Sequence, residues 1–235
     1  HTISELGWPS PNRYRAGATL IGAAAASVQG LDGLYWFAVG SNALTDAGMS
    51  KFAVSCPTVA WTFPATALMY RRGDLPTPEP VLQHRLKLDD LLALRGSPTA
   101  SAAGLDELRK ADAPDKSDAT VATFDPLAFF VGPVLRSLDD ADPGALTPSL
   151  DRFIDRKAKT VTGRRGHLRW DYGRGVVRVD TPRCQGAAGF LDGDPFVLSD
   201  ATVRCKNEYA SIIVISLDAQ PLATSRRVLV QAMTE

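Results

Sequence analysis

The first carboxylate of the chain, Glu5, stands at the end of a strand-forming run, Thr2-Ile3-Ser4, and just before an indole, Trp8, that Pro9 and Pro11 follow. An ionised acid at a strand end can attack an electrophilic carbon, and an aromatic neighbour offers a flat apolar face to a ligand. The other residues with chemical reach are scattered: His1, His84 and His167, and three cysteines, Cys56, Cys184 and Cys205. The cysteines lack CxxC spacing, so neither a zinc ribbon nor a redox motif is expected. Cys184 and Cys205 fall in neighbouring strand-like segments and are either a disulfide pair or two reduced core thiols, which leaves the compartment open. No GxSxG elbow, HExxH motif or phosphate-binding glycine loop occurs.

The chain that must position these residues has 235 of them, 45% hydrophobic, enough for one large or two small cores. Lys plus Arg and Asp plus Glu both number 26, so no global charge draws the protein to nucleic acid or to an anionic membrane, and neither partner is expected. No uninterrupted apolar run reaches the roughly 18 to 20 residues that cross a bilayer, so a soluble chain is expected. The N-terminus shows no basic region followed by an apolar one; any signal peptide has been removed or lies outside this sequence.

After the prolines, Asn12 is a candidate N-cap for a helix over about Arg13 to Gln29, with Gly30 as its left-handed end. Leu34 to Val39 reads as a buried strand, Ser41 to Ser50 as a polar loop, and Pro57 to Gly73 as a helical stretch that Pro64 kinks or restarts. Strand, helix, strand, helix is the order of consecutive βα units. Residues 75–150 have the composition of a connector, with "LKLDDLLALRG" and "GLDELRKAD" as short helices and "SPTASAAG" and "DAPDKSDAT" as loops. The rest is β-rich: "GHLRWDYGRGVVRVDT" predicts a hairpin about Tyr172 to Gly175, and "ASIIVISLD" and "RRVLVQAM" predict strands. The expected fold is α/β plus β, divided into a βαβα region over 1–95, a connector over 96–159 and an antiparallel, sandwich-like region over 160–235.

The run "ISELGWPSPNRYRAGATLIGAAAASVQGLDGLYWFAV", with "FPATALMYRRGDL", "VDTPRCQGAAGFL" and "SLDAQPLATSRRVLV", resembles the C-terminal part of bacterial clan-A glycoside hydrolases, whose catalytic (β/α)8 barrel is followed by β-sandwich material. The resemblance is most specific between residues 3 and 74. It implies that Ile3–Leu6 is the seventh barrel strand and Leu34–Val39 the eighth, and that Glu5 matches the nucleophile at the C-terminal end of the seventh. It further implies a carbohydrate substrate, no cofactor, an extracellular or periplasmic location, and a sugar floor made by Trp8 with Tyr35 or Trp36. Two βα units do not close an eight-stranded barrel, so a partner chain or a second copy must complete it and bring the proton donor.

Residue types alone support plainer assignments. Glu5 is an ordinary solvated acid, and Trp36 and Trp61, inside apolar runs, are core residues, which leaves Trp8 as the better sugar platform. Asp32 is a turn residue, Arg72–Asp74 is a common tripeptide with no adhesion role, and the basic run over residues 155–169 is a solvated hairpin face rather than a polyanion site. Two other classes compete with hydrolysis. One is a non-catalytic, glycan-binding or structural β module. The other is a copper-dependent oxidative enzyme of polysaccharides, in which the amino group and imidazole of His1 chelate the metal and His84 or His167 adds a third nitrogen.

Overall fold

The computed structural model describes residues 1–39, 51–92, 125–138, 145–146, 149–193 and 195–234. Its N-terminal part is a βαβ unit: β1 (Thr2–Leu6), α1 (Ala18–Gln29) and β2 (Gly33–Trp36), with the strands paired in parallel. Asn12 does not cap α1. Its Oδ1 accepts the Tyr14 amide at 2.8 Å, and this local turn delays the helix until a 3-10 turn at Arg15–Gly17 has passed. The other end follows expectation, since Gly30 takes φ 66° and returns its N–H to the last turn. β2 is shorter than the apolar run that announced it: Phe37 still donates to the Leu6 carbonyl at 2.8 Å, but Ala38 pairs with the segment at Phe52 and Val54.

α2 (Pro57–Ala60) and α3 (Phe63–Arg72) follow. Pro64 lies in the first turn of α3, where a missing N–H breaks no helical bond, so it marks a restart. The stretch expected to be connector holds a small sheet: β3 (Leu82–Leu86) pairs in parallel with β4 (Val134–Leu138) and antiparallel with β5 (Ala145–Leu146). α4 (Leu88–Leu92) and α5 (Ala128–Val131) accompany it. The helix expected over 104–112 and the loops expected over 41–50, 97–104 and 112–120 lie outside the described residues.

The C-terminal part is a seven-stranded antiparallel sheet, in the order β14-β13-β10-β9-β8-β7-β6. These strands are Ile154–Asp155 (β6), Thr160–Thr162 (β7), Leu168–Asp171 (β8), Val176–Asp180 (β9), Cys184–Phe190 (β10), Tyr209–Ser216 (β13) and Val228–Thr234 (β14). The β8–β9 hairpin turns where the sequence predicted. Alternation divides the side chains: Val177, Val179, Cys184, Ala188, Ile213 and Ile215 form one buried core with α1 and α3. On the other face the ribbon β11 (Phe196–Val197) and β12 (Thr202–Val203) covers Val176, Ala187 and Ala210, a small sandwich-like layer.

α1 therefore lies between two sheets, which explains why its sequence is apolar on every side. Leu20, Ala24 and Val28 face the large sheet, while Gly22 faces the strands of its own βαβ unit. The core thus joins residues 18–75 to residues 168–215. The fold is mixed, and no closed barrel forms among the described residues: β1 and β2 are a sheet of two.

All three cysteines are free. Cys184 sits in β10 between β9 and β13, whereas Cys205 bridges to Asp192, so the reduced alternative holds. Burial, with Asp74 second, pushes the Cys184 thiol up to about 12, which makes it inert packing rather than a nucleophile.

Candidate functional site

The register of β1 on β2 decides where Glu5 points. Thr2 pairs with Gly33, Ile3 with Leu34 and Leu6 with Trp36, so two residues, Ser4 and Glu5, stand against Tyr35 alone. This is a bulge, the device that re-aims side chains at sheet rims and beside active sites. Leu6 and Trp36 face α1: a methyl placed on Gly22 would lie 3.1 Å from Leu6 Cδ2 and 3.3 Å from Trp36 Cζ2. Glu5, one residue before Leu6, consequently projects from the opposite, open face, which it shares with the 62% exposed Tyr35.

Glu5 is exposed, and among the described residues no hydrogen bond or ion pair holds its carboxylate. It stands at the C-terminal edge of a parallel strand pair, with an aromatic rim beyond it. Trp8 stacks on Trp36, ring centroids 6.2 Å apart at 29°, and Phe63 meets Trp36 edge-on at 6.2 Å. Phe37 and Phe52, both exposed, pack edge-to-face at 5.4 Å, with Lys51 Nζ 5.0 Å above the Phe52 ring.

The residues expected to form a sugar floor therefore separate. Tyr35 shares the open face with Glu5; Trp36 is half-buried on the helix side and carries Trp8 with it. Trp61, expected in the core, is 63% exposed, because its short helix lies at the margin of the large sheet, where Gln231 of β14 donates to its carbonyl. Phe37 and Phe52 were missed as rim residues. The signal for Phe37 was alternation itself, since it follows Tyr35 by two.

His1 pairs its amino group with Asp32 and its carbonyl accepts the Asp32 amide at 2.8 Å, so Asp32 ties down the start of β1. That pair and its hydrogen bond hold the Asp32 carboxyl below its ordinary range. His167 Nδ1 lies 2.9 Å from the Asp180 carbonyl within the β8–β9 hairpin, and the His84 side chain lies outside the described residues. Among the described residues no three histidine, cysteine or acidic side chains are grouped to hold a metal, and no helix is long and apolar enough to cross a membrane.

The Arg72–Asp74 tripeptide is structural. Asp74 is buried after the Gly73 turn, bound by Arg72 and with Arg183 Nε 2.9 Å from Oδ1 as an ion pair, although that N–H is not aimed along a hydrogen bond. A recess of about 360 Å³ lined by Gly30, Leu31, Asp32 and Tyr70 opens at the edge of the strand pair opposite to Glu5. In barrel folds that edge serves stability, and here Tyr70 donates to the Leu31 carbonyl across it.

The geometry defines a βαβ unit with an acid and an aromatic rim at its C-terminal edge, packed on an antiparallel sheet. No protein-family model, curated protein or solved structure matches the chain.

Proposed function

We propose that this chain is a carbohydrate-active protein derived from a retaining glycoside hydrolase, that β1, α1 and β2 are the seventh strand, helix and eighth strand of a partial (β/α)8 barrel, and that Glu5 is the nucleophile. The observation that carries this reading is the bulge that turns Glu5 onto the open face at the C-terminal edge of β1, beside Tyr35. In this mechanism a Glu5 oxygen attacks the anomeric carbon while a second carboxylic acid, about 5 to 5.5 Å away, protonates the departing glycosidic oxygen. The same second group then takes a proton from water, which displaces Glu5 from the glycosyl ester. Tyr35 and Phe37 offer ring faces to the apolar side of the sugar, while Trp8, stacked on Trp36, stands outside that floor.

Two βα units leave the barrel incomplete, so in this reading the proton donor comes from a partner chain or second copy that pairs with the edges of β1 and β2. Polysaccharide substrates place the reaction outside the cytoplasm, in the medium or the periplasm. The experiment is Glu5→Gln in the completed assembly, assayed on a panel of chromogenic glycosides. Hydrolysis falls by a factor on the order of 10³ or more if Glu5 attacks, and unchanged hydrolysis removes the assignment.

A second reading, a non-catalytic glycan-binding module, draws on the exposure of Tyr35, Phe52 and Trp61 and on the unheld Glu5 carboxylate. It predicts binding to insoluble polysaccharide with no release of reducing sugar.

A further inference from the structure

Much of the basic run is neutralised where it meets other elements: Arg156 pairs with Asp125, and Arg164 and Arg165 both reach Glu79, at 3.6 and 3.1 Å. Arg169 is different. It stands directly opposite Arg178 in the β8–β9 register, on the face turned away from α1, and the hairpin turn adds Arg174. Phe196 from β11 seats two of the three cations, with Arg178 Cζ 4.3 Å and Arg174 Cζ 5.2 Å from its ring centroid. The nearby carboxylate, Asp171, accepts the Arg174 backbone N–H at Oδ1, 2.9 Å away. Among the described residues, none of the three guanidiniums forms an ion pair.

Like charges directly opposite across an antiparallel pair are destabilising. Arg178 is also half-buried, and burial, then Arg169 and Arg174, lower its pKa against a smaller opposing pull from Asp171. An arrangement that works against the fold in the free protein becomes favourable when an anion with several acceptor oxygens sits between the forks, because planar guanidiniums bind such groups bidentately.

We infer that Arg169, with Arg174 and Arg178 seated on Phe196, binds a tetrahedral oxyanion, a sulfate or phosphate ester borne on a glycan. The anion chemistry stands on these contacts alone; the glycan as its carrier rests on the carbohydrate reading proposed above. Nucleic acid fits less well, since the aromatic ring present is already covered by guanidiniums and offers no face for base stacking.

The test is calorimetric titration of the whole chain with a sulfated oligosaccharide, its desulfated counterpart, inorganic sulfate and a single-stranded oligonucleotide, at matched ionic strength. The sulfated oligosaccharide binds and the desulfated one does not. Arg178→Met weakens binding about tenfold or more. The same substitution raises Tm by about 2 °C in the absence of ligand, because it removes the opposed charge, and this shows that the variant is folded. Equal affinity of the variant and the wild-type protein, or equal binding of the desulfated sugar, overturns the site. Inorganic sulfate or the oligonucleotide binding as tightly as the sulfated oligosaccharide overturns the glycan as carrier. None of these readouts involves hydrolysis, so failure here and failure of Glu5 are separate results.

Discussion

Asp218 shows how a single half-buried carboxylate can be recruited by its own turn. The hydroxyl of Ser225, the Arg226 amide and the hydroxyl of Ser216 all donate to it, fastening the connection between β13 and β14. These donors hold its carboxyl well below the ordinary value of 3.8. The folded-state pKa is depressed, so the stabilisation is complete above about pH 4 and is lost as the pH falls from there toward the folded value. Acid unfolding followed by circular dichroism checks this: Asp218→Asn flattens the loss of stability below pH 4 and leaves its slope above pH 5 unchanged. Glu5 is the opposite case, since no donor among the described residues fixes it, and its proposed chemistry depends on what is brought to its face. Glu5 and Asp32 were legible in the sequence as positions. The recruitment of Asp218 and the burial of Asp74 were not, because a carboxylate's donors come from residues that fold beside it rather than from its own pattern.

The elements were more legible than their contacts. The cap at Gly30, the break at Pro64 and the β8–β9 hairpin each follow from local backbone chemistry, and each stands where the residues indicated. Asn12 failed as a cap because its side chain was already committed to Tyr14. The bulge in β1 has no local signature at all, since it arises from pairing with a strand some thirty residues away. The joint between elements is likewise non-local: Asp74 and Arg72 fix the end of α3 to the large sheet, with Arg183 from the β9–β10 turn and the Ser216 carbonyl, 2.7 Å from Arg72, as the anchor points. Asp74→Ala breaks that joint and leaves two guanidiniums without their buried partner. The expected cost is about 3 kcal/mol, the low end for a broken buried pair because both arginines retain some access to water. Urea unfolding measures it, and a change within ~0.5 kcal/mol contradicts the clamp.

At the scale of the whole molecule, one helical layer serves two sheets. α1 and α3 bury one side on the seven-stranded sheet, while the other side of α1 carries the parallel pair that presents Glu5. A rigid C-terminal sheet thereby holds in register a two-stranded edge whose own pairing is too small to be stable in isolation. The sequence announced the first half by its cap residues and prolines and the second by strand-forming runs and a turn, but the core they share is set by long-range packing that no window of residues contains. In the function proposed above, a completing chain would meet the edges of β1 and β2, which pair with no further strand among the described residues, and the aromatic rim above them. The most direct measurement is mass spectrometry of the assembly from its native source after incubation with activated 2-deoxy-2-fluoroglycosides, which trap the glycosyl ester on the attacking carboxylate. The account predicts one added glycosyl group on the peptide that carries Glu5. A label on any other carboxylate, or hydrolysis that proceeds with Glu5 unlabelled, contradicts it.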